Sequence, residues 1–202
     1  MTGGHAHSRD AAYFDRIYAA SEDPWGFRSS PYERAKYART IAALPPRRFR
    51  AGLEIGCSIG ELTRCLAMHC DTLHGVDVAA AALQTARERC TDLTHVRFSQ
   101  MRVPAQWPAG QYDLIVLSEV LYFLSRTDIA LVAGRVRQGL AEGGVVLLVN
   151  WRGVADNPIG GDAAASAFVA ALPEFACDLG QVFEAFRIDR LVSHTTRAEA
   201  DA

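Results

Sequence analysis

A carboxylate set in an apolar strand is the first sign of chemistry in this chain. Leu53-Glu54-Ile55 reads as a short buried strand running into a glycine-rich turn, Gly56-Cys57-Ser58-Ile59-Gly60. Glu61-Leu62-Thr63-Arg64-Cys65-Leu66-Ala67 then opens a helix with Leu62, Cys65 and Leu66 on one face. Gly56 and Gly60 carry no Cβ, so the turn can be tight and a small ligand can approach bare backbone at a helix start. Burial of Glu54 is costly unless the carboxylate finds a partner. The spacing Glu-x-Gly-x-x-x-Gly also departs from the Gly-x-Gly-x-x-Gly of sites built around a pyrophosphate. Such a turn suits a ligand with a cationic, phosphate-free end. Two further acids follow strands: Asp77 in Gly75-Val76-Asp77-Val78, and Glu119 in Ser118-Glu119-Val120-Leu121-Tyr122-Phe123-Leu124. Glu119 is the only acid of that apolar stretch.

The elements that must position these acids alternate in a βα rhythm, which specifies a parallel sheet covered on both faces. Residues 53–55, 72–78, 95–98, 112–117 and 145–151 read as strands, with 112–117 continuously apolar as a central parallel strand should be. Residues 61–69 and 79–90 read as helices, the second aligning Leu83, Ala86 and Cys90. Residues 128–140 form a third helix, with Ile129, Val132, Val136 and Leu140 in register and Glu142-Gly143-Gly144 ending it. A helix over 162–172 is capped by Asp162. Residues 175–182 and a segment around 186–191 are the last strands. Right-handed crossovers put the first three strands on one side of the sheet, and ligands bind beyond the strand ends where the chain crosses over. That places 56–60, Asp77, 99–102 and 118–122 together.

The chain of 202 residues can bury a full core, and no composition break suggests a second domain. Residues 1–202 read as one domain, with 1–50 a helical lid and 51–202 the core. Hydrophobic residues make up 50% and charged residues 22%, ordinary for a soluble globular protein. A net charge of -2 argues against nucleic acid, whose binders display a basic stripe. No apolar run is long enough to span a bilayer, and no signal-peptide core follows the polar start. Five cysteines without a Cys-x-x-Cys pair fit neither a disulfide framework nor a zinc site, so a reducing cytoplasm is expected. No metal-ligand spacing is present. His5 and His7 belong to a loose start, and His69, His74 and His95 read as solvated or capping groups at element ends.

The segment before the sheet carries more than packing requires. Tyr13, Phe14, Ile17 and Tyr18 lie on a short helix over 11–20, and Asp23-Pro24-Trp25-Gly26-Phe27 makes an aromatic turn. Pro31-Tyr32-Glu33-Arg34 opens a second helix, in which Tyr37, Ile41 and Leu44 are a plain core stripe. Charge and aromatics clustered at a turn and a helix start suit a lid that completes a pocket and excludes water.

Leu53-Glu54-Ile55-Gly56-Cys57-Ser58-Ile59-Gly60, followed by Gly75-Val76-Asp77-Val78, resembles the first two motifs of class I S-adenosylmethionine-dependent methyltransferases. Together with Asp-Pro-Trp, Pro-Tyr-Glu-Arg and Ser-Glu-Val-Leu-Tyr-Phe-Leu, the likeness narrows to the NodS group, from about Phe14 to Trp151. That group N-methylates the amino sugar at the end of a chitooligosaccharide. The resemblance implies a Rossmann-like, doubly wound α/β fold. Its seven-stranded, mostly parallel sheet would have the order 3-2-1-4-5-7-6, with the last strand antiparallel.

The resemblance also implies S-adenosylmethionine as cofactor and S-adenosylhomocysteine as product. Asp77 would accept from the ribose hydroxyls, and Val78, Gln100 and Met101 would border the adenine. Glu54, Gly56, Cys57, Ser58, Gly60 and Ser118 would complete the cofactor site. Arg34 would clamp the methionine carboxylate, and Trp25 would shield the sulfonium. Asp23, Tyr32, Tyr122 and Trp151 are the expected substrate contacts, and Glu119 either acts on the acceptor or pairs with an N-terminal arginine such as Arg34. The acceptor is expected to be an amine or hydroxyl of a sugar or other small polar molecule. The missing Asn/Asp-Pro-Pro-Tyr argues against a nucleobase. Two other readings remain: a nicotinamide-dependent oxidoreductase, which the missing Gly-x-Gly-x-x-Gly disfavours, and a non-catalytic adenosyl-binding subunit.

Overall fold

Seven strands form one sheet in the order β3-β2-β1-β4-β5-β7-β6 in the computed structural model, which describes residues 7–193. The strands are β1 (Phe49–Ile55), β2 (Cys70–Asp77), β3 (Val96–Gln100), β4 (Tyr112–Ser118), β5 (Leu140–Trp151), β6 (Phe175–Val182) and β7 (Phe186–Ser193). The first five are parallel to one another, and β7 runs antiparallel to both β5 and β6. This is the order implied by the family resemblance. The helices are α1 (Ala11–Ala20), α2 (Pro31–Ala42), α3 (Glu61–Ala67), α4 (Ala80–Arg89), α5 (Arg126–Gly139) and α6 (Gly161–Ala170).

Successive side chains of a strand point to opposite faces, so the continuous apolar runs feed two cores. Leu53, Ile55, Ile115, Leu117, Val146 and Leu148 pack on one face beneath Ile129, Val132 and Val136 of α5 and Phe168 of α6. Leu114, Val116, Val145, Leu147 and Val149 face the other way, with Leu62 and Leu66 of α3. A smaller apolar cluster joins the lid to the glycine turn: Tyr18, Phe14 and Phe27 pack with Ile59 and Ala79.

Several boundaries differ from the sequence expectation for local reasons. β1 begins at Phe49 because the Asp113 carboxylate accepts the Arg50 and Ala51 amides at 2.9 Å and holds the chain extended. Ser125 caps α5, accepting from the Asp128 amide, so the helix starts before Asp128. Gly160, not Asp162, is the N-cap residue of α6; Asp162 lies in the first turn, where Arg152 holds it at 2.9 Å. β5 follows α5 directly at Leu140, so Glu142-Gly143-Gly144 belongs to the strand instead of ending the helix. His74 sits inside β2 and is buried, with Nε2 2.9 Å from the Ser99 hydroxyl; burial pushes its pKa down to about 4. The end-of-strand reading of His74 is therefore wrong, whereas His95 does meet the Ala67 carbonyl at the end of α3. His5 lies outside the described residues.

Candidate active site

A cleft of about 500 Å³ opens beyond the carboxyl ends of β1, β2 and β4, roofed by α1, α2 and the turn between them. Its floor is the glycine turn. Gly56 and Gly60 have φ of +79° and +84°, and Ser58 between them is also left-handed at +48°. The Asp77 carboxylate fixes this geometry: one oxygen accepts the Ser58 amide and the other the Ala79 amide, both at 2.9 Å. Burial raises the Asp77 pKa while those backbone donors oppose the shift. Each Asp77 oxygen keeps a lone pair, and the residue lines the cleft. Tyr18 of α1 closes over the turn with its hydroxyl on Ser58, and Trp25 meets Tyr18 edge-on at 5.5 Å.

Val78, Met101 and Arg102 border the same end of the cleft. Gln100 does not belong to its wall, because its side chain is exposed and donates to the Val78 carbonyl at 2.9 Å. Gly60 lies below the cleft. A Cβ there would come within 3.3 Å of Ala86, so this glycine serves close packing of the turn on α4, not ligand approach.

Glu54 is buried, and its partner is the Thr63 hydroxyl at 2.6 Å, a contact that sequence reading missed. Glu54, Cys57 and Glu61 line a side cavity that shares Glu33, Lys36, Gly56, Ser58, Ser118 and Glu119 with the main cleft. Burial drives the Glu54 pKa from its ordinary 4.5 to about 7. Between those values the unfolded chain has released this proton and the folded chain still holds it. The Glu54 contribution to stability is therefore full below pH 4.5 and is lost as the pH rises through 7. The span is on the order of 3 kcal/mol. Glu54→Gln mimics the protonated acid, so the wild-type protein should lose melting temperature relative to this variant as the pH is raised from about 5 to 8. A constant difference between the two would show that Glu54 does not titrate there.

Glu119 follows β4 with φ +59°, a left-handed conformation that is uncommon outside glycine, and its amide donates to the Val149 carbonyl. Its carboxylate ties three elements together. Lys36 of α2 donates to Oε1 at 2.7 Å, while the Tyr122 hydroxyl at 2.7 Å and the Trp151 amide at 2.9 Å donate to Oε2. Lys36 also donates to Glu33 at 3.1 Å and is buried. Burial works against its charge, but Glu119 and Glu33 outweigh burial and hold its pKa above the ordinary value.

The structure thus brings Trp25, Tyr32, Gly56, Ser58, Asp77, Val78, Met101, Ser118, Glu119, Tyr122 and Trp151 to one cleft, with Glu54 and Cys57 on its side cavity. Two lid residues are elsewhere. Arg34 is exposed and donates to the Ser29 carbonyl at 2.9 Å, so it clamps neither a ligand nor Glu119. Asp23 accepts the Phe27 and Arg28 amides and shapes the turn instead of facing the cleft. Lys36 takes the place of Arg34 as the partner of Glu119. Its signal was the spacing of Glu33, Lys36 and Thr40, which turn one polar edge of α2 inward. Tyr13 and Phe123 add an aromatic wall beside Tyr122, and Phe14 joins that wall to the lid cluster.

A seven-stranded sheet with a reversed seventh strand, a glycine turn held by the acid at the end of β2, and a lid over the strand ends define the class I methyltransferase fold. The chain belongs to the Nodulation protein S (NodS) family, whose model matches residues 12–141. Nodulation protein S of Rhizobium tropici is 32% identical over 127 residues, covering 62% of this chain and 53% of that protein. The chain accordingly spans about half the length of the curated relatives it matches first. Among solved structures, a putative methyltransferase from Pseudomonas syringae is 37% identical with a TM-score of 0.71, covering 80% of this chain and 98% of that one. N-methyltransferase NodS from Bradyrhizobium japonicum WM9, in complex with S-adenosylhomocysteine, shares the fold with a TM-score of 0.80 at 23% identity; the match covers 92% of this chain and 100% of that one.

Proposed function

We propose that this protein is an S-adenosylmethionine-dependent N-methyltransferase whose acceptor is the amine of a sugar or short oligosaccharide. The observation that carries the reading is a single cleft lined both by the glycine turn and Asp77 and by Glu119, Tyr122 and Trp151. At one end, the free lone pairs of Asp77 suit the two hydroxyls of a ribose. The acids around Gly56 suit the cationic methionine end, and Val78 and Met101 suit an adenine face. At the other end, aromatic walls offer flat apolar surface of the kind that a pyranose ring can stack on. When bound, S-adenosylmethionine supplies an activated methyl group on sulfur. The protein's task is then to align a nucleophile in line with that group and keep water out, a role for Tyr18, Trp25 and Tyr32.

Family membership supports this reading over a nicotinamide oxidoreductase or a subunit without turnover. The five free cysteines suit the cytoplasmic setting we assign to the reaction. Among the described residues no helix is long and apolar enough to cross a membrane.

S-adenosylhomocysteine at about 100 times its Kd should raise stability by roughly 2.7 kcal/mol, whereas NAD should leave the melting temperature unchanged. Methyl transfer from S-adenosylmethionine to a chitooligosaccharide with one free terminal amine should then be detectable. Stabilisation by NAD alone would overturn the cofactor assignment. S-adenosylhomocysteine binding without transfer to any acceptor would favour the non-catalytic subunit.

A further inference from the structure

Tyr122 holds its hydroxyl in an unusual state. It lines the cleft, yet it is buried enough to be only 7% exposed. Its proton is committed to Glu119 Oε2 at 2.7 Å, and no other hydrogen bond to its oxygen exists among the described residues. The direction of that bond cannot easily reverse. Glu119 already receives Lys36 and the Trp151 amide, both obligate donors, so the carboxylate is pinned as an acceptor. Burial, with Glu119 next to it, pushes the phenol pKa well above its ordinary value, so Tyr122 remains neutral. What it presents to the cleft is therefore an oxygen with unused lone pairs.

We propose that Tyr122 is the residue that positions the acceptor nitrogen, with Lys36 and Glu119 as positioning residues that fix the direction of its hydroxyl. This inference rests on the methyltransferase reading and adds to it which group the acceptor site reads. An unprotonated amine donates one N–H to the Tyr122 oxygen, and its lone pair is left pointing along the line of attack. The nitrogen lone pair forms the new N–C bond, the S–C bond breaks, and its electron pair stays on sulfur. The product is an N-methylammonium, which loses its proton to water after release.

An alcohol fares worse at the same place. It too can donate to Tyr122, but becoming a good nucleophile requires loss of that proton. Tyr122 has no vacancy for it while it keeps its own proton, which points at Glu119. Glu119 in turn is already engaged by three donors, Lys36, Tyr122 and the Trp151 amide. The same network that suits an amine leaves a hydroxyl at the Tyr122 oxygen without a base to take its proton there, and it gives Glu119 the task of orienting Tyr122.

The test compares wild type, Tyr122→Phe and Glu119→Gln on two matched acceptors. One is a chitooligosaccharide with a free terminal amine, and the other carries a hydroxyl at that carbon. Simple primary amines and S-adenosylhomocysteine binding serve as references. Wild type should favour the amine by at least about a hundredfold in kcat/KM. Tyr122→Phe should lower kcat on the amine by roughly 10- to 100-fold, with S-adenosylhomocysteine affinity within about twofold of wild type. Glu119→Gln tests the same point without removing the hydroxyl. Its side chain offers one accepting oxygen where the carboxylate has two, so Lys36, Tyr122 and the Trp151 amide can no longer all donate to it; the direction of the phenol proton is then no longer fixed, and kcat should again fall about tenfold or more.

Transfer to the hydroxyl acceptor at a similar rate would overturn the inference and leave the methyltransferase reading intact. So would full amine activity in Tyr122→Phe, or in Glu119→Gln should the first variant fold poorly. Transfer only to non-sugar amines, still dependent on Tyr122, would support the inference and overturn the sugar acceptor. Absence of transfer to every amine would overturn both.

Discussion

Asp77→Ala should weaken S-adenosylhomocysteine binding by about a hundredfold, because this one carboxylate carries two tasks. As a ligand contact, it would lose charge-assisted hydrogen bonds to the ribose hydroxyls, roughly 1.5–3 kcal/mol. As a structural clamp, it holds the Ser58 and Ala79 amides. Without it the left-handed Ser58 loses its restraint, and the turn that faces the ligand is no longer preformed. The two losses fall on the same ligand, so they compound. Asp77→Asn separates them in part, since its amide oxygen can still serve one backbone donor while its NH2 faces the other. Calorimetric titration should therefore rank wild type above Asn, and Asn above Ala. An affinity of Asp77→Ala within threefold of wild type would remove Asp77 from the cofactor site.

The largest effect on stability is expected at Gly161, the first residue of α6. A Cβ built there would lie 1.8 Å from the Trp151 carbonyl oxygen, and that obstacle is backbone and cannot rotate aside. Either α6 or the end of β5 must move. Overpacking of this kind costs on the order of 3 kcal/mol. For a domain of this size that corresponds to a fall of roughly 10 °C in melting temperature. Gly160 provides the control: nothing lies within 4 Å of a Cβ there, so Gly160→Ala should cost about 1 kcal/mol or less. Equal melting temperatures for the two variants would refute the steric argument. The displacement also reaches the cleft, because the amide of Trp151 donates to Glu119.

The parts of the fold that the sequence announces are those whose residues are constrained on all sides. Residues 114–117 of β4 and 145–149 of β5 are apolar without interruption because each stretch lies inside the sheet with both faces covered. The glycine turn is visible because few residues other than glycine adopt φ near +80°. The strand order was different: a βα rhythm does not say where each crossover lands, and only the family likeness supplied it. The acceptor side was hardest to read. Arg34 and Lys36 are two positions apart on one helix, about 200° around its axis, so only one of them can face the cleft. Charge alone ranks them equally. Lysine is rarely buried, and its burial here depends on Glu33 and Glu119, the second of which is distant in sequence. Asp23 misled because a short acid in a turn can serve its own backbone as readily as a ligand.

The insertion of β7 between β5 and β6 has a bearing on when the molecule becomes competent. Trp151 and Asn150 pair with Phe186 and Arg187, and the Arg152 amide donates to the Ala185 carbonyl. The stretch that delivers a backbone donor to Glu119 is thus braced by chain that leaves the ribosome some 35 residues later. During synthesis β1, β2 and β3, which carry the proposed nucleoside end of the cleft, emerge before the strand that braces Trp151. On the proposed reading, a chain cut off before β7 should bind its nucleoside yet fail to hold an acceptor in line, because the outer brace of Trp151 is missing.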